Sequence, residues 1–130
     1  MARVLLDSTV LIDALRGRPA AQRVAALRRK GIEPWACAIS VEEIWRGLRP
    51  QEEPIARRLF TGLRMAPLGL AEGARAGAWR RAFAAQGVTL HQADCLIASA
   101  AVSLDANLAT ANVGDFPMSE VIVEDWPAGQ

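Results

Sequence analysis

Short apolar runs alternate with helically spaced segments from one end of this chain to the other, and that rhythm leaves few folds open. Val4 to Leu6 is an uncharged apolar run that stops at Asp7 and reads as a buried strand. The spacing predicts a helix over 9–16, with Val10, Ala14 and Leu15 apolar and Gly17 and Pro19 ending it. A second helix is expected over 20–30, closed by Gly31, and a strand over 35–39. A third helix opens at Ser40 and ends near Gly47 to Pro50, and a fourth covers 52–63. Residues 65–68 suit a short strand, and 70–85 a long alanine-rich helix that stops at Gly87. A further helix is expected over 91–102, with two last strands over 108–110 and 121–123. This order predicts an α/β sandwich around a parallel sheet, with right-handed crossovers.

The 130 residues fit one domain spanning 1–130, large enough to bury a core without a staple. Hydrophobic residues at 52% and charged residues at 22% exclude a disordered chain. Fifteen basic side chains against fourteen acidic ones exclude a tail-driven nucleic-acid binder but leave room for a local basic patch. Cys37 and Cys95 lie far apart and His91 is the one histidine, so neither a zinc site nor a disulfide framework can be built. The two thiols read as reduced and buried in a cytoplasmic protein. Asp7 and Asp13 interrupt the apolar start, which is therefore no signal peptide. No stretch reaches the roughly 18 apolar residues of a membrane span, so no membrane partner is expected.

In sheets of this kind the ligand crevice lies beyond the carboxyl ends of the strands. Four acids map there. Asp7 follows the first strand, Glu43 lies one turn into the helix after the second, Asp94 is in the first turn of the 91–102 helix, and Asp115 follows the 108–110 strand. Each also has a purely structural use. Asp7 suits an N-cap, Glu43 completes a capping box with Ser40, Asp94 complements a helix dipole, and Asp115 suits an Asx turn. Gathered together, the four repel at roughly 1–4 kcal/mol per pair at 4 Å, which a cation would offset. An all-oxygen set without His or Cys suits Mg²⁺ or Mn²⁺, and such an ion activates water and neutralises a phosphodiester. Ser8, Thr9, Ser40, Thr110 and Asn112 stand beside the acids and can orient them. Glu42 points about 100° away around its helix and can pair with Arg46.

These residues carry a recognisable pattern. Leu6-Asp7-Ser8-Thr9-Val10-Leu11-Ile12-Asp13 resembles the opening of PIN-domain proteins, in particular the VapC toxins of bacterial toxin–antitoxin pairs. Ser40-Val41-Glu42-Glu43-Ile44-Trp45-Arg46-Gly47 is similar to their glutamate helix, Asp94-Cys95-Leu96-Ile97-Ala98 to their third acidic motif, and Thr110 to Phe116 to their closing motif. The likeness covers residues 3 to 123 in the family's order. It implies a PIN-like α/β/α sandwich with a mostly parallel five-stranded sheet. It also implies a Mg²⁺- or Mn²⁺-dependent endoribonuclease with Asp7, Glu43, Asp94 and Asp115 as catalytic metal site, acting on structured RNA, tRNA or rRNA. A homodimer and a VapB-type antitoxin that covers the groove are implied as partners. One departure is Ser103 to Asn107, where the family often has a glycine turn; Asp105 can make that turn and is left outside the site.

RNA contact would fall to arginines, which grip phosphate bidentately. Arg46 leads because it shares the Glu43 helix; Arg16, Arg49, Arg18, Arg57, Arg58, Arg80 and Arg81 are further candidates. Trp45 and Trp79 suit packing better than base stacking, and His91 suits a helix start. Two other readings stay open. A phosphatase of the haloacid dehalogenase type also begins with a strand ending in aspartate, but it needs a second aspartate where this chain has Thr9. A non-catalytic interaction domain would keep the fold without the complete acidic set.

Overall fold

The computed structural model describes residues 2–17 and 19–129; Arg18, one of the candidate RNA contacts, lies outside them. Five parallel strands form one sheet in the order β3-β2-β1-β4-β5. They are β1 (Ala2–Leu6), β2 (Ile32–Ala36), β3 (Arg64–Met65), β4 (Asn107–Thr110) and β5 (Val123–Asp125). The helices are α1 (Ser8–Leu15), α2 (Pro19–Arg29), α3 (Ala38–Gly47), α4 (Glu53–Thr61), α5 (Leu70–Ala84) and α6 (Gln92–Ser103). Every neighbouring strand pair is parallel.

Period-two alternation explains why helices cover both faces. Val4 and Leu6 of β1 and Ala109 of β4 enter one apolar cluster, shared with Val10, Leu11, Val24, Leu27 and Ile44 of α1, α2 and α3. Leu5 and Leu108, one residue out of step, enter the other cluster with Trp79 of α5 and Ile97, Ala98 and Ala101 of α6. Truncating a side chain such as Leu5 or Leu6, both fully buried, would cost about 2–5 kcal/mol.

Two strands sit where apolar patterning alone does not put them. The expected 35–39 strand is β2 at Ile32–Ala36, because Cys37 already caps α3. Pro34 is tolerated because β3 pairs only with Trp35 and Ala36, leaving Pro34 beyond the end of that ladder. Glu33 is held there by Arg64 (3.3 Å) and the Trp35 indole (2.7 Å). The expected 121–123 strand is β5 at Val123–Asp125; Val121 is buried in the core instead of pairing. The 65–68 strand shrinks to Arg64–Met65. Asp105 does make the turn before β4, at φ +53°.

Strand order reverses between β1 and β4, since one half of the sheet runs β1-β2-β3 outward and the other β4-β5. The carboxyl ends of β1 and β4 therefore flank the topological switch point, where ligands of open α/β sheets bind. Among the described residues no helix is long and apolar enough to cross a membrane.

Candidate metal centre

Asp7 is the residue between β1 and α1. Its backbone N–H donates to Ala109 O at 2.9 Å, which ties the end of β1 to β4. Asp7 stands at the N-cap of α1 in extended conformation, yet its carboxylate makes no capping bond. It is buried (5% exposed), and its Oδ2 accepts hydroxyls from Thr110 (2.8 Å) and Thr9 (3.1 Å). The direction of these bonds is forced. Thr9 Oγ1 accepts the Ala111 N–H and Thr110 Oγ1 accepts the Asn112 N–H, each at 3.0 Å, so both hydroxyl protons are left for Asp7. One carboxylate oxygen is spent on this clamp. Oδ1 takes no part in it.

Glu43 is treated the same way from the opposite side. Ser8 Oγ donates to Glu43 Oε1 at 2.8 Å and lies 2.9 Å from Ser40 Oγ. A carboxylate only accepts, and a serine has one hydroxyl proton. Ser8 therefore gives its proton to Glu43, and Ser40 donates to Ser8. The capping-box use of Ser40 and Glu43 is overturned, because α3 begins at Ala38 with Cys37 at the N-cap. Ser40 acts on Glu43 only through Ser8.

Asp94 and Asp115 have no such support. Asp94 lies in the first turn of α6, half-buried, and among the described residues its carboxylate accepts no hydrogen bond. Burial and the charges of Asp115, Asp7 and Glu43 push its carboxyl up to about 6, against a weaker opposing pull from His91. Asp115 ends the 3₁₀ turn Val113–Asp115 and is exposed. Among the described residues its side chain makes no hydrogen bond, so the Asx-turn use is not realised. Asp115, Asp7 and Glu43 thus all lie near enough to raise the Asp94 carboxyl. Among the described residues no three Asp, Glu, His or Cys groups stand together closely enough to hold a metal ion by themselves. Mg²⁺ needs no such trio, since one or two carboxylates and several waters complete its shell. The donor chemistry fits a hard dication. Cys37 and Cys95 are free and buried, and burial pushes both thiols up, away from the ligating thiolate.

The remaining candidates divide. Thr110, Thr9, Ser8 and Ser40 do orient acids. Asn112 contributes its backbone N–H to Thr110; its exposed side chain makes no hydrogen bond among the described residues. Arg46 is bound to Glu42 through both Nε and Nη2, as its i,i+4 spacing suggests, and Arg49 is bound to Glu52 at 3.1 Å. Arg16 instead shares a cleft of about 220 Å³ with Ile12, Leu15, Glu43, Leu48 and Glu52, directly beside the centre. Trp45 packs against Phe60 at 6.0 Å under Arg57, and Trp79 is buried and donates to Glu120. His91 occupies the N-cap of α6 without a side-chain capping bond. Sequence reasoning missed Asp13, which is buried and accepts the Gly129 N–H at 3.0 Å; an aspartate inside an apolar helix was the available signal.

Residues 4–116 match the family described as "PIN domain". "Ribonuclease VapC10" of Mycobacterium tuberculosis is 35% identical over 117 residues, covering 90% of this chain and 88% of that protein. "Ribonuclease VapC19" of the same organism is 34% identical over 116 residues, covering 88% and 92%. Among solved structures, VapBC2 from Rickettsia felis, bound to a DNA fragment from its promoter, superposes with a TM-score of 0.84. That match has 20% identity and covers 95% of this chain and 98% of that one, a likeness of fold alone. Family match, relatives and the five-stranded parallel sheet agree: this chain belongs to the PIN domain family, and within it to the VapC type.

Proposed function

We propose that this chain is the toxin of a type II toxin–antitoxin pair and an endoribonuclease that uses Mg²⁺ or Mn²⁺ at Asp7, Glu43, Asp94 and Asp115. The observation that carries the reading is Asp94, a half-buried carboxylate without a donor, pushed up to about 6 by burial and three neighbouring acids. A structural carboxylate is given partners. This one is surrounded by like charge at the switch point of the sheet, the arrangement expected where a divalent cation completes the balance.

The chain's own residues supply the rest. Thr9 and Thr110 hold Asp7 by Oδ2 and Ser8 holds Glu43 by Oε1, which leaves the second oxygen of each outside these bonds. Asp94 would hold a cation in its ionised form, so binding would be weakened below about pH 6. The chemistry a dication supplies there is acidification of water and charge neutralisation of the scissile phosphodiester. Arg16, exposed at the rim and without an ion pair among the described residues, is placed to hold a neighbouring phosphate. Arg46 and Arg49 would first have to leave Glu42 and Glu52.

Structured RNA, tRNA or rRNA, is the proposed substrate, and loss of translation the proposed consequence, in a cytoplasmic homodimer inhibited by a VapB-type antitoxin. Relatives named as ribonucleases and a structural neighbour that is a VapBC assembly support this reading. The test is to map cut sites in total RNA treated with purified chain and Mg²⁺ or Mn²⁺. Discrete cuts abolished by chelation and by Asp94→Asn are expected; cutting that survives both would refute the reading.

A further inference from the structure

The carboxylate centre has a second cleft on the side away from Arg16. It lies between the irregular segment Val88–His91 and the turn Gly114–Pro117, and Asp94 and Asp115 form its inner wall. Its volume is about 260 Å³, just below the range of drug-sized pockets and suited to a single ring system. Leu90 forms a buried floor, Val88 and Pro117 present apolar faces, and Thr89 and His91 add polar edges.

The walls are fixed without a ligand. Val88 N donates to Phe83 O (2.9 Å), Arg80 Nε donates to Leu90 O (3.1 Å), and Cys95 N donates to His91 O (3.1 Å). Opposite them, Asp115 N donates to Asn112 O (3.0 Å) and Phe116 N to Val113 O (3.1 Å). The His91 ring is left out of this scaffold: it is exposed and makes no capping bond. A slot with apolar faces at Val88, Leu90 and Pro117, two acids on its inner wall and the exposed His91 ring at its edge matches an unpaired nucleobase, which packs its face on apolar side chains and needs hydrogen-bond partners for its edge.

A phosphodiester at the carboxylates has one nucleotide on either side. The Glu43 side leads into the Arg16 cleft and the Asp94–Asp115 side into this one. We propose that the Val88–His91/Gly114–Pro117 cleft receives the unpaired base next to the scissile bond and sets which base is accepted there. The inference deepens the ribonuclease reading and rests on it.

The experiment has two arms on the full chain. In the first, hairpins carrying each of the four bases at every loop position are cleaved with Mn²⁺. Wild type shows a base preference at one position flanking the cut, and His91→Ala with Val88→Ser reduces it about tenfold, through KM more than kcat. Other positions keep their preferences. In the second, the preferred hairpin is titrated into the Glu43→Gln chain while the ring protons of His91, the sole histidine, are followed by NMR. They shift on binding. Ring signals that stay still at saturating RNA overturn the cleft assignment even where cleavage proceeds. So does an equal loss of cleavage across all hairpins in the double variant. Signals that shift while no hairpin is ever cut keep the cleft as an RNA site and overturn the nuclease reading instead.

Discussion

Glu72 and Asp94 are both first-turn acids, one opening α5 and the other α6, and the fold treats them in opposite ways. Glu72 is buried (6% exposed) and fully partnered. Its carboxylate accepts the Ser103 hydroxyl and the Gly69 N–H (2.7 Å), while its carbonyl accepts Ser99 Oγ (2.9 Å). Arg75 closes the knot by donating to Ser99 O, Ser99 Oγ and Ser103 Oγ at 2.8–3.1 Å. The Ser103 hydroxyl first, then the Gly69 amide, hold Glu72 below the usual carboxylate range. Asp94 accepts no hydrogen bond among the described residues and is driven the other way, to about 6. A chain that can build the Glu72 knot is not short of donors. The deficit at Asp94 is local: Asp115, Asp7 and Glu43 raise its carboxyl, the imbalance that the proposed cation would relieve.

The contrast breaks most visibly at the acids themselves. Asp94→Asn or Asp7→Asn should lower RNA cleavage by about a hundredfold to a thousandfold. The fold should survive, because the Asp94 carboxylate joins no elements among the described residues and an asparagine at position 7 keeps an oxygen that can accept the Thr9 and Thr110 hydroxyls. Circular dichroism and a cleavage time course check this, and full activity in either variant would remove the acids from the mechanism. One layer out, Ser8→Ala frees Glu43 to swing. The expected loss is about tenfold to a hundredfold in Mn²⁺ affinity by calorimetry, with cleavage partly restored at high metal. An unchanged affinity would make Ser8 packing only.

The sheet and the acids were legible in the sequence for different reasons. Val4 to Leu6 is fully apolar, and a strand covered on both faces has to be, so β1 could be read directly. The acids were legible because each stands just past a strand end or at a helix start, positions that the α/β rhythm sends to one rim. What could not be read was the detail of support. Ser40 and Glu43 spell a capping box, and nothing local reveals that Cys37 takes the cap and leaves Ser40 for Ser8 on another helix. Arg46 ranked first among the arginines by its place on α3, but its i,i+4 partner Glu42 was equally visible and claims it. β2 was misplaced because Glu33 and Pro34 are poor strand residues whose tolerance depends on Arg64 and on where β3 stops.

Stability measurements sharpen the same contrast at lower energies. Saturating Mg²⁺ or Mn²⁺ at about one hundred times its dissociation constant should stabilise the wild-type chain by about 2.7 kcal/mol. Thermal melts should show no such gain for Asp7→Asn, and equal gains in both proteins would place the ion elsewhere. Ser99→Ala, which removes a fully buried hydroxyl from the Glu72 knot, should cost about 1–2 kcal/mol and leave the metal response intact. A loss of metal response in Ser99→Ala would mean that the two regions are coupled.

The smallest expected effect carries the clearest sign. A carboxyl whose pKa is raised on folding binds its proton more tightly in the native state, so stability is greatest while both states are protonated and falls as the group ionises. For Asp94 that window runs from its ordinary value of 3.8 up to about 6. With metal chelated, the wild-type chain should lose stability on the order of 1 kcal/mol across this window, after discounting for solvent screening of a half-exposed group. Glu72 works in the opposite sense, because its lowered carboxyl gives stability that disappears only as the solution becomes more acidic. The two slopes can be separated by denaturant titrations at several pH values on the wild type and on Asp94→Asn. The variant should lose the decline between about pH 4 and pH 6 and keep the loss at acid pH that belongs to Glu72. If the decline persists in Asp94→Asn, the proton belongs to another acid, and the like-charge crowding assigned to α6 has to be moved there.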